Sequence, residues 1–432
     1  MKVVQTGPGA RPGGPARDEM LLLHRLFLSW GWESELLPDE PVETESKSEG
    51  ESSSSAAIDP DALLICHFHL TSPPVEISDH STERTIVVLH ELLPTSCLER
   101  LDYETRGRLE AAHDRLAQLA TGCELAIGHS TSACDRLERI GFQRVRRLPP
   151  LVDFEALDAP ADPLTLAMLD DNALVLLYAG DLHAASGTED LIKTAWYHRS
   201  FLTDPTSVKQ FIHAGELGVP HPASVPPPGG ENVKSASVDS NASLGPGPRP
   251  GRTDIPVRPQ AGRTDIPVCS QDGRTDIPVC PPFQLVLTGG ADICPGYYAR
   301  LSDLVAELEM GDDAVLFAGE LDPDQLRACL RRACVYIHLN GADLSGARIL
   351  QAIHCGVPVV AIAEGAAPEI LGDAGILLDS AIHSAVAETL HRIIVDADWR
   401  QLVIRRQRRR LEEFSSERTA FLLRSLLSRF IG

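Results

Sequence analysis

Short apolar runs rich in β-branched residues alternate with helical stretches along most of this chain of 432 residues. The length of these runs and the turn-forming residues around them predict strands. The strands are expected at residues 3–6, 62–68, 85–90, 124–128, 145–148, 173–180, 283–290, 314–319, 335–339 and 357–363. Most of the runs are uninterrupted, which is typical of parallel strands covered by helices on both faces. The pattern predicts an α/β protein with two Rossmann-like, doubly wound domains.

Helices are expected between and after these strands, near residues 15–30, 99–121, 130–140, 188–201, 296–310, 322–333, 346–355, 382–396 and throughout 397–430. We place an N-terminal domain at 1–165, a C-terminal domain at 166–396 and C-terminal helices at 397–432. The join is expected near 150–172, where the proline spacing is typical of a linker. Ligands of open α/β sheets bind beyond the carboxyl ends of the strands, so we expect the site in a cleft between the two domains.

Two segments depart from this pattern. Residues 39–60 are acidic, rich in serine and nearly free of large apolar side chains. Residues 203–282 are dense in proline, glycine and serine, and they repeat GRTDIPV from Gly251, Gly262 and Gly273. Such compositions bury too little apolar surface to offset the entropy lost on ordering, so both segments are predicted to be disordered insertions. For the repeat, a peptide-docking role is the alternative.

Charge and cysteine usage narrow the class of protein. Asp and Glu total 61 against 39 Lys and Arg, and the net charge of −22 disfavours nucleic-acid partners. No apolar run approaches the about 20 residues of a membrane helix, and Met1–Thr6 predicts a strand rather than a signal peptide. The ten cysteines form no CxxC pair, which predicts reduced thiols, no zinc site and a cytoplasmic location. The basic run at 404–410 is expected to pack against the N-terminal domain, with peripheral contact to anionic lipid as the alternative.

The clearest candidate chemistry lies at 338–375, where a strand, a loop, a helix and a second strand follow one another. The helix is expected to begin with free backbone N–H groups at Ser345, Gly346 and Ala347, which suit a phosphate. Gly346 would also let the ligand approach closely. Asp343 and Gln351 flank this turn, and their side chains suit sugar or ribose hydroxyls. The alternatives are an ordinary helix cap for Asp343 and a solvated helix face for Gln351.

The sequence HLNGADLSGARILQAIHCGVPVVAIAEGAAPEILGDAGILL resembles the signature region of retaining GT-B glycosyltransferases of family 4, the group 1 type. LVLLYAGDLHAASGTEDLIKTA and FQLVLTGG are similar to neighbouring segments of that family, and the N-terminal half is similar to one bacterial branch. The resemblance implies a GT-B fold. It also implies transfer of a sugar, with retention, from a UDP- or GDP-linked donor to a glycan or lipid-linked acceptor. No cofactor and no essential metal ion are implied, and surface polysaccharide assembly is the expected role.

The family's donor-site positions fall on residues that differ here from the usual pattern. Two basic residues that stabilise the departing diphosphate correspond to Asp181, which follows Gly180 in the donor-side loop, and to Ser186. Two glutamates that hold the sugar and the ribose correspond to Asp343 and Gln351. The resemblance therefore assigns all five residues to donor binding, with Asp343 also contributing to catalysis.

Three further positions are assigned by the resemblance. His90 corresponds to a strand-end histidine that contacts the reacting sugar, so we expect it to be catalytic. Gly14 lies in the region that matches the first glycine-rich loop. Glu369 follows a proline where the family has Pro-Glu, and it is expected to shape the donor pocket.

An acidic residue at position 181 opposes diphosphate binding. A carboxylate about 5 Å from a phosphate oxygen would repel it by roughly 3 kcal/mol at an effective dielectric near 20. Arg348 lies three residues before Gln351 on the same predicted helix, and we expect it to supply the compensating charge. The alternative is a surface arginine on a solvated helix face.

We therefore predict a retaining glycosyltransferase that uses a nucleotide-linked sugar. The substitutions at 181, 186 and 351 motivate an alternative of another class, a catalytically impaired, glycosyltransferase-like protein that binds a sugar or a partner enzyme. A sugar-nucleotide epimerase on the same fold is a third, lesser alternative.

Overall fold

The computed structural model describes residues 1–7, 14–38, 59, 61–69, 84–94, 97, 101–169, 173–199, 283–290, 294–311 and 314–430. The insertions predicted at 39–60 and 203–282 therefore lie outside the described residues, apart from Asp59. Within the described ranges the chain forms two six-stranded sheets with helices around them.

The first sheet comprises β1 (Lys2–Gly7), β2 (Glu33–Pro38), β3 (Leu63–His69), β4 (Thr85–Glu91), β5 (Leu125–Gly128) and β6 (Val145–Arg147). Its strand order is β2-β1-β3-β4-β5-β6, and each neighbouring pair is parallel. The helices of this half are α1 (Pro15–Ser29), α2 (Tyr103–Ala120) and α3 (Thr131–Ile140). β3 and β4 are buried along their whole length, as their uninterrupted apolar runs predict.

Two short helices, α4 (Phe154–Asp158) and α5 (Pro163–Met168), lie in the segment predicted to be a linker. The second sheet then comprises β7 (Leu174–Ala179), β8 (Phe283–Thr288), β9 (Val315–Gly319), β10 (Ala333–His338), β11 (Val359–Ile362) and β12 (Ile376–Leu378). Its order is β12-β11-β10-β7-β8-β9, and its neighbouring pairs are also parallel. Its helices are α6 (Thr188–Tyr197), α7 (Pro295–Glu307), α8 (Pro323–Arg332), α9 (Ala347–His354), α10 (Ala367–Leu371) and α11 (His383–Val395).

These two sheets confirm the prediction of two doubly wound α/β domains, while the boundaries at 165 and 396 stay predictions. In each sheet the order of the strands departs from their order along the chain, so helical crossovers place helices on both faces. Residues at the carboxyl ends of β3, β4, β7, β8 and β10 line one common cleft. The topology thus fixes where a ligand site is to be sought.

The C-terminal helices α12 (Ala397–Leu411) and α13 (Ser416–Leu427) pack on different halves of the protein. On α12, Arg410 donates to the carbonyls of Glu369 and Ile370 in the second half. On α13, Leu423 and Leu427 belong to the core of the first half. The prediction that the basic run at 404–410 fits against the N-terminal domain is therefore wrong. A break at Glu412–Phe414 separates the helices, and only α13 returns to the first sheet.

None of the described helices combines the length and the hydropathy that a bilayer span requires.

Candidate functional site

The cleft between the two sheets encloses about 860 Å³, its open mouth included. Besides the strand ends, the start of α1 and the loop before α9 contribute to its walls. The predicted cleft between two domains is therefore present, at the position where parallel sheets bind ligands.

The structure brings together seven of the residues predicted from the sequence, since the described lining includes Gly14, His90, Gly180, Asp181, Asp343, Ser345 and Arg348. The same lining does not include the predicted residues Ser186, Gly346, Ala347, Gln351 and Glu369. The roles assigned to the first set stay predictions. The residues of the second set do not line the cleft because they contact other parts of the protein, as described below.

Glu91, the last residue of β4, is a centre of polar contacts in the cleft and is 6% exposed. Its Oε1 accepts hydrogen bonds from His183 Nε2 at 2.9 Å and from Asn340 Nδ2 at 2.8 Å. The Ala185 N–H donates to His183 Nδ1, which leaves the ring proton on Nε2 to face the carboxylate. Burial raises the pKa of Glu91, but the interactions with His183 and His69 outweigh burial and hold the pKa well below its usual range.

His69 and Asp181 meet beside Glu91. His69 Nε2 lies 3.4 Å from Glu91 Oε2 and 3.2 Å from Asp181 Oδ2. His69 ends β3 and Asp181 follows β7, so the three groups come from both sheets. Their nitrogen and oxygen atoms all lie within 4.8 Å of one another, which makes this a group of side chains that could hold a metal ion.

Asp343 organises the loop before α9. Its Oδ1 accepts hydrogen bonds from Ser345 N at 2.8 Å, Ser345 Oγ at 3.0 Å and Gly346 N at 3.0 Å. Ser345 Oγ in turn accepts a hydrogen bond from Ala347 N at 3.3 Å. The prediction that these three amides are free for a phosphate is therefore wrong, because side chains of the same loop already satisfy them. Asp343 is not a helix cap either, because Gly346 is the N-cap of α9 and no side chain caps it. Asp343 instead fixes the loop that precedes the helix.

Gly346 is required by helix packing rather than by the approach of a ligand. Its φ is 69°, in the left-handed region that favours glycine. A Cβ at this position would lie 2.6 Å from Ile370 Cγ1 in α10, which is closer than two carbon atoms can pack. Because α10 occupies the space beside Gly346, the predicted ligand approach at this residue is wrong.

Arg348 and Gln351 lie on a buried stretch of α9. Arg348 is 6% exposed and Gln351 is 9% exposed, so the solvated-face alternatives for both are wrong. Arg348 Nη1 donates to Gln351 Oε1 at 2.7 Å and lies 3.4 Å from Asp18 Oδ2 in α1. Arg348 reaches the cleft, where Arg17 is the other arginine of the described lining. Gln351 therefore holds Arg348 in place and is not itself among the described residues that line the cleft.

His90 belongs to a chain of buried polar side chains that ends at the cleft. Its Nε2 lies 2.9 Å from His67 Nδ1, and its Nδ1 lies 3.5 Å from Glu19 Oε2. Glu19 Oε2 is also 3.0 Å from His129 Nε2, and His67 Nε2 is 3.1 Å from Gln5 Oε1. Glu19, His90 and His129 form a second group whose spacing could hold a metal ion.

The ionisation states in this chain of side chains differ. Burial lowers the pKa of His90 well below its usual value and that of His67 to about 4, so both rings are neutral at pH 7. Burial also lowers the pKa of His129, but the Glu19 carboxylate outweighs burial and raises it overall. Burial raises the pKa of Glu19, and the His129 ring reverses that shift. Glu19 and His129 therefore form a buried ion pair behind a neutral His90.

Ser186 and Glu369 form hydrogen bonds with other residues of the protein and do not line the cleft, which contradicts the donor-binding roles predicted for them. Ser186 is fully buried, with its Oγ 2.8 Å from Thr188 Oγ1. Glu369 Oε2 accepts hydrogen bonds from Thr131 N at 2.6 Å and Thr131 Oγ1 at 2.8 Å. Its Oε1 accepts from Arg147 Nη1 at 2.6 Å. Glu369 thus joins α10 to the first half of the protein.

Sequence reasoning did not select several polar residues of the described lining, among them Arg17, Glu91, His338 and Asn340. Glu91 and Asn340 lie at or just after the carboxyl ends of strands, and that position is the signal that could have found them. His338 is 2% exposed, and its Nε2 lies 3.4 Å from Asp343 Oδ2. Burial lowers the pKa of His338, which keeps the ring neutral at pH 7.

Comparison with known proteins adds a family match for one part of the chain. Residues 277–396 match the family described as "Glycosyl transferases group 1". The O-antigen chain mannosyltransferase B of Escherichia coli is 27% identical over 128 residues, which are 29% of this chain and 34% of that protein. The match therefore spans about a third of that relative's length.

Solved structures resemble the chain over its whole length. A sucrose-phosphate synthase from Thermosynechococcus elongatus has a TM-score of 0.61 at 15% identity, over 100% of this chain and 99% of that one. HepE from Anabaena, solved in complex with UDP-glucose, has a TM-score of 0.56 at 13% identity, over 99% of this chain and 100% of that one. At these identities the likeness establishes the fold. The chain has the GT-B architecture, and within it residues 277–396 are similar to group 1 glycosyltransferases.

Proposed function

We propose that this chain is a glycosyltransferase that moves a sugar from a nucleotide-linked donor to an acceptor. The observation that carries the proposal is the cleft itself, which lies at the carboxyl ends of two parallel sheets and holds Arg17 and Arg348. The group 1 match over 277–396 supports the proposal. The shared fold with HepE, a protein solved with UDP-glucose, is a further support.

Arg348 is the group best placed to bind the donor diphosphate. Its Nη1 is held by Gln351 Oε1 at 2.7 Å, so the planar guanidinium is oriented before a ligand arrives. Charge develops on the diphosphate as the sugar departs, and a fixed cation stabilises that charge more than the ground state. Gln351 acts as a positioning residue in this proposal, in place of the ribose contact predicted for it. Asp343 and His90 would orient the sugar.

The finer parts of the proposal concern stereochemistry and acceptor. Retention at the anomeric carbon, without a resident cofactor, is supported by the resemblance of the signature region to family 4. Surface polysaccharide assembly, with a glycan or lipid-linked acceptor, is supported by the likeness to the O-antigen chain mannosyltransferase. UDP and GDP are the proposed donor nucleotides, and the cytoplasm is the proposed location.

Asp181 favours a second candidate function, a glycosyltransferase-like binding protein without transfer activity. Its carboxylate lines the cleft at the position where the family places a cation for the diphosphate. The amides at the start of α9 are occupied by Asp343 and Ser345, so they do not replace that cation. Such a protein would bind a sugar or a partner enzyme and leave a nucleotide donor intact.

Titration of the full chain with UDP, GDP and their common sugar conjugates, followed by an assay of donor hydrolysis, separates the two candidates. The enzyme is expected to bind one nucleotide series preferentially and to release free sugar with time. Binding to none of the nucleotides, in a sample whose circular dichroism shows folded protein, would favour the binding protein. As a control, an unrelated acidic protein replaces this chain in the assay. Donor hydrolysis in that sample would come from a contaminant and not from this chain.

A further inference from the structure

His90, the cleft residue proposed to orient the sugar, lies between two polar side chains. Its Nε2 is 2.9 Å from His67 Nδ1, and its Nδ1 is 3.5 Å from Glu19 Oε2. The ring is neutral at pH 7, and a neutral imidazole carries one proton, so only one of its nitrogens can donate. The position of that proton decides which nitrogen of His90 donates and which accepts, and therefore which ligand group the ring can bind.

The direction of these hydrogen bonds is fixed by Gln5 in β1. Gln5 Nε2 donates to the Met20 carbonyl at 3.3 Å, so its Oε1 is the atom that faces His67 Nε2 at 3.1 Å. Because an amide oxygen only accepts, the proton of His67 lies on Nε2. Burial lowers the pKa of His67 to about 4 and keeps the ring neutral at pH 7. His67 Nδ1 therefore carries no proton and accepts a hydrogen bond.

His90 accordingly donates to His67 through Nε2. The other tautomer would carry the proton on Nδ1, but the 3.5 Å to Glu19 Oε2 is longer than the about 2.7–3.2 Å of an N–H···O hydrogen bond. It would also bring two lone pairs together at 2.9 Å, on His90 Nε2 and His67 Nδ1. Buried acceptors left without a donor are unfavourable, so the Nε2–H tautomer is the stable one.

The Glu19 carboxylate has other partners than His90. Its Oε1 accepts a hydrogen bond from the Leu151 N–H at 2.9 Å, and its Oε2 lies 3.0 Å from His129 Nε2. His129 Nδ1 donates to the Leu148 carbonyl at 2.9 Å, so this ring faces an acceptor at each nitrogen and carries both protons. His129 thus supplies the counter-charge of Glu19. The Nδ1 of His90 keeps its lone pair, and the group that suits it is a hydrogen-bond donor such as a sugar hydroxyl.

We propose that His67, fixed by Gln5, is a positioning residue that holds His90 in the Nε2–H tautomer, so that His90 meets the donor sugar as a hydrogen-bond acceptor. Neither Gln5 nor His67 is among the described residues that line the cleft, so both act through His90. The sugar contact rests on the proposed function. The tautomer does not, because it follows from contacts within the first half of the protein.

Nitrogen-15 NMR of the full chain, labelled in its histidine rings, reads the tautomer, because protonated and bare ring nitrogens resonate far apart. His90→Gln identifies the His90 signals by their loss. We expect a protonated Nε2 and a bare Nδ1 in the wild-type chain at pH 7. His67→Phe keeps a ring but removes the acceptor, so the proton of His90 is expected to move to Nδ1, toward Glu19. His67→Asn, whose amide oxygen can replace Nδ1 as the acceptor, is expected to retain the wild-type tautomer.

The wild-type spectrum decides the tautomer whether or not the variants fold, since a proton on Nδ1 of His90 would overturn the assignment. A folded His67→Phe with an unchanged His90 would show that His67 does not set the tautomer. Gln5→Leu frees His67 to adopt either tautomer and should give mixed states at both rings; unchanged spectra would remove Gln5 from the proposal. The matched control is His383→Phe, which removes a partly exposed ring 2.8 Å from Asp190 Oδ1 and outside the described cleft lining. It should leave the His90 signals unchanged.

Calorimetric titrations with UDP and with UDP-glucose test the sugar contact. We expect His67→Phe to weaken the binding of UDP-glucose about threefold to tenfold, the equivalent of one hydrogen bond, and to leave UDP binding unchanged, because UDP lacks the transferred sugar. His67→Asn is expected to bind both ligands as the wild-type chain does. Equal weakening of both ligands by His67→Phe would overturn the sugar contact and indicate a structural role. A wild-type chain that binds neither ligand would count against the proposed function, while the NMR result on the tautomer stands.

Discussion

Replacing Arg348 with alanine isolates the cation proposed to bind the diphosphate. Arg348 Nη1 lies 2.7 Å from Gln351 Oε1 and 3.4 Å from Asp18 Oδ2. A unit charge about 4 Å from one phosphate charge attracts it by about 4 kcal/mol at an effective dielectric of 20, and Asp18 about 8 Å away repels it by about 2 kcal/mol. Asp18 is present in both chains, so its repulsion cancels, and the expected loss in Arg348→Ala is the removed attraction of about 4 kcal/mol, or about a thousandfold in Kd.

Calorimetric titration of UDP into the wild-type chain and Arg348→Ala measures this loss directly. Arg405→Ala provides the control, because Arg405 is an exposed residue of α12 outside the described cleft lining. We expect the control to bind UDP as the wild-type chain does, since it removes the same charge from another place. Equal UDP affinity of folded Arg348→Ala and wild type would refute the diphosphate role of this arginine.

Three further predictions concern the contacts that shape the cleft. Glu19→Gln leaves His129 without its buried counter-charge and should lower the free energy of unfolding by about 3–5 kcal/mol in urea titrations; a loss below about 1 kcal/mol would contradict the buried pair. The pKa of His67 is about 4 in the folded chain against 6.5 in the unfolded chain, so its contribution is present above pH 6.5 and is lost as the pH falls to 4. The free energy of unfolding from urea titrations should therefore fall by about 3 kcal/mol more for wild type than for His67→Gln over this pH range, and parallel curves for the two chains would contradict the shifted pKa. Arg147→Ala, which breaks a half-exposed pair with Glu369, should change stability by less than about 1 kcal/mol, and a larger loss would mean that this contact holds the two halves together.

The fold was predictable because its central strands are buried on both faces. The apolar runs at 62–68 and 85–90 became β3 and β4, and the run at 173–180 contains β7. β2 and β12 lie at sheet edges and were not predicted. The sequence of β2, ESELLP, mixes charged and apolar residues, so it lacks the continuous apolar signal of a central strand.

The candidate site was predictable where position along a strand determines it. His90, Gly180 and Asp181 lie at or just after strand ends, and parallel topology alone directs such residues to the cleft. The loop before α9 was not predictable in the same way. Whether the amides of Ser345 and Gly346 are free depends on the rotamer of Asp343 and on the path of the backbone, which spacing does not specify.

Glu369 shows a second limit of reasoning from one sequence. Its position in the signature region suggested a place in the donor pocket, yet its carboxylate binds Arg147 and Thr131 from the first half of the chain. These partners are more than 200 residues away in sequence, at separations of 222 and 238. Contacts of this kind depend on how the two halves meet, which no local pattern encodes.

A crystal structure of the chain with UDP-glucose is the most direct measurement of the central claim, that the cleft binds a nucleotide diphosphate. The account predicts a diphosphate within hydrogen-bond distance, about 3 Å, of the Arg348 guanidinium. It also predicts the sugar beside His90 and Asp343. A nucleotide bound outside the cleft, or a cleft that stays free of nucleotide at saturating concentration, would contradict it.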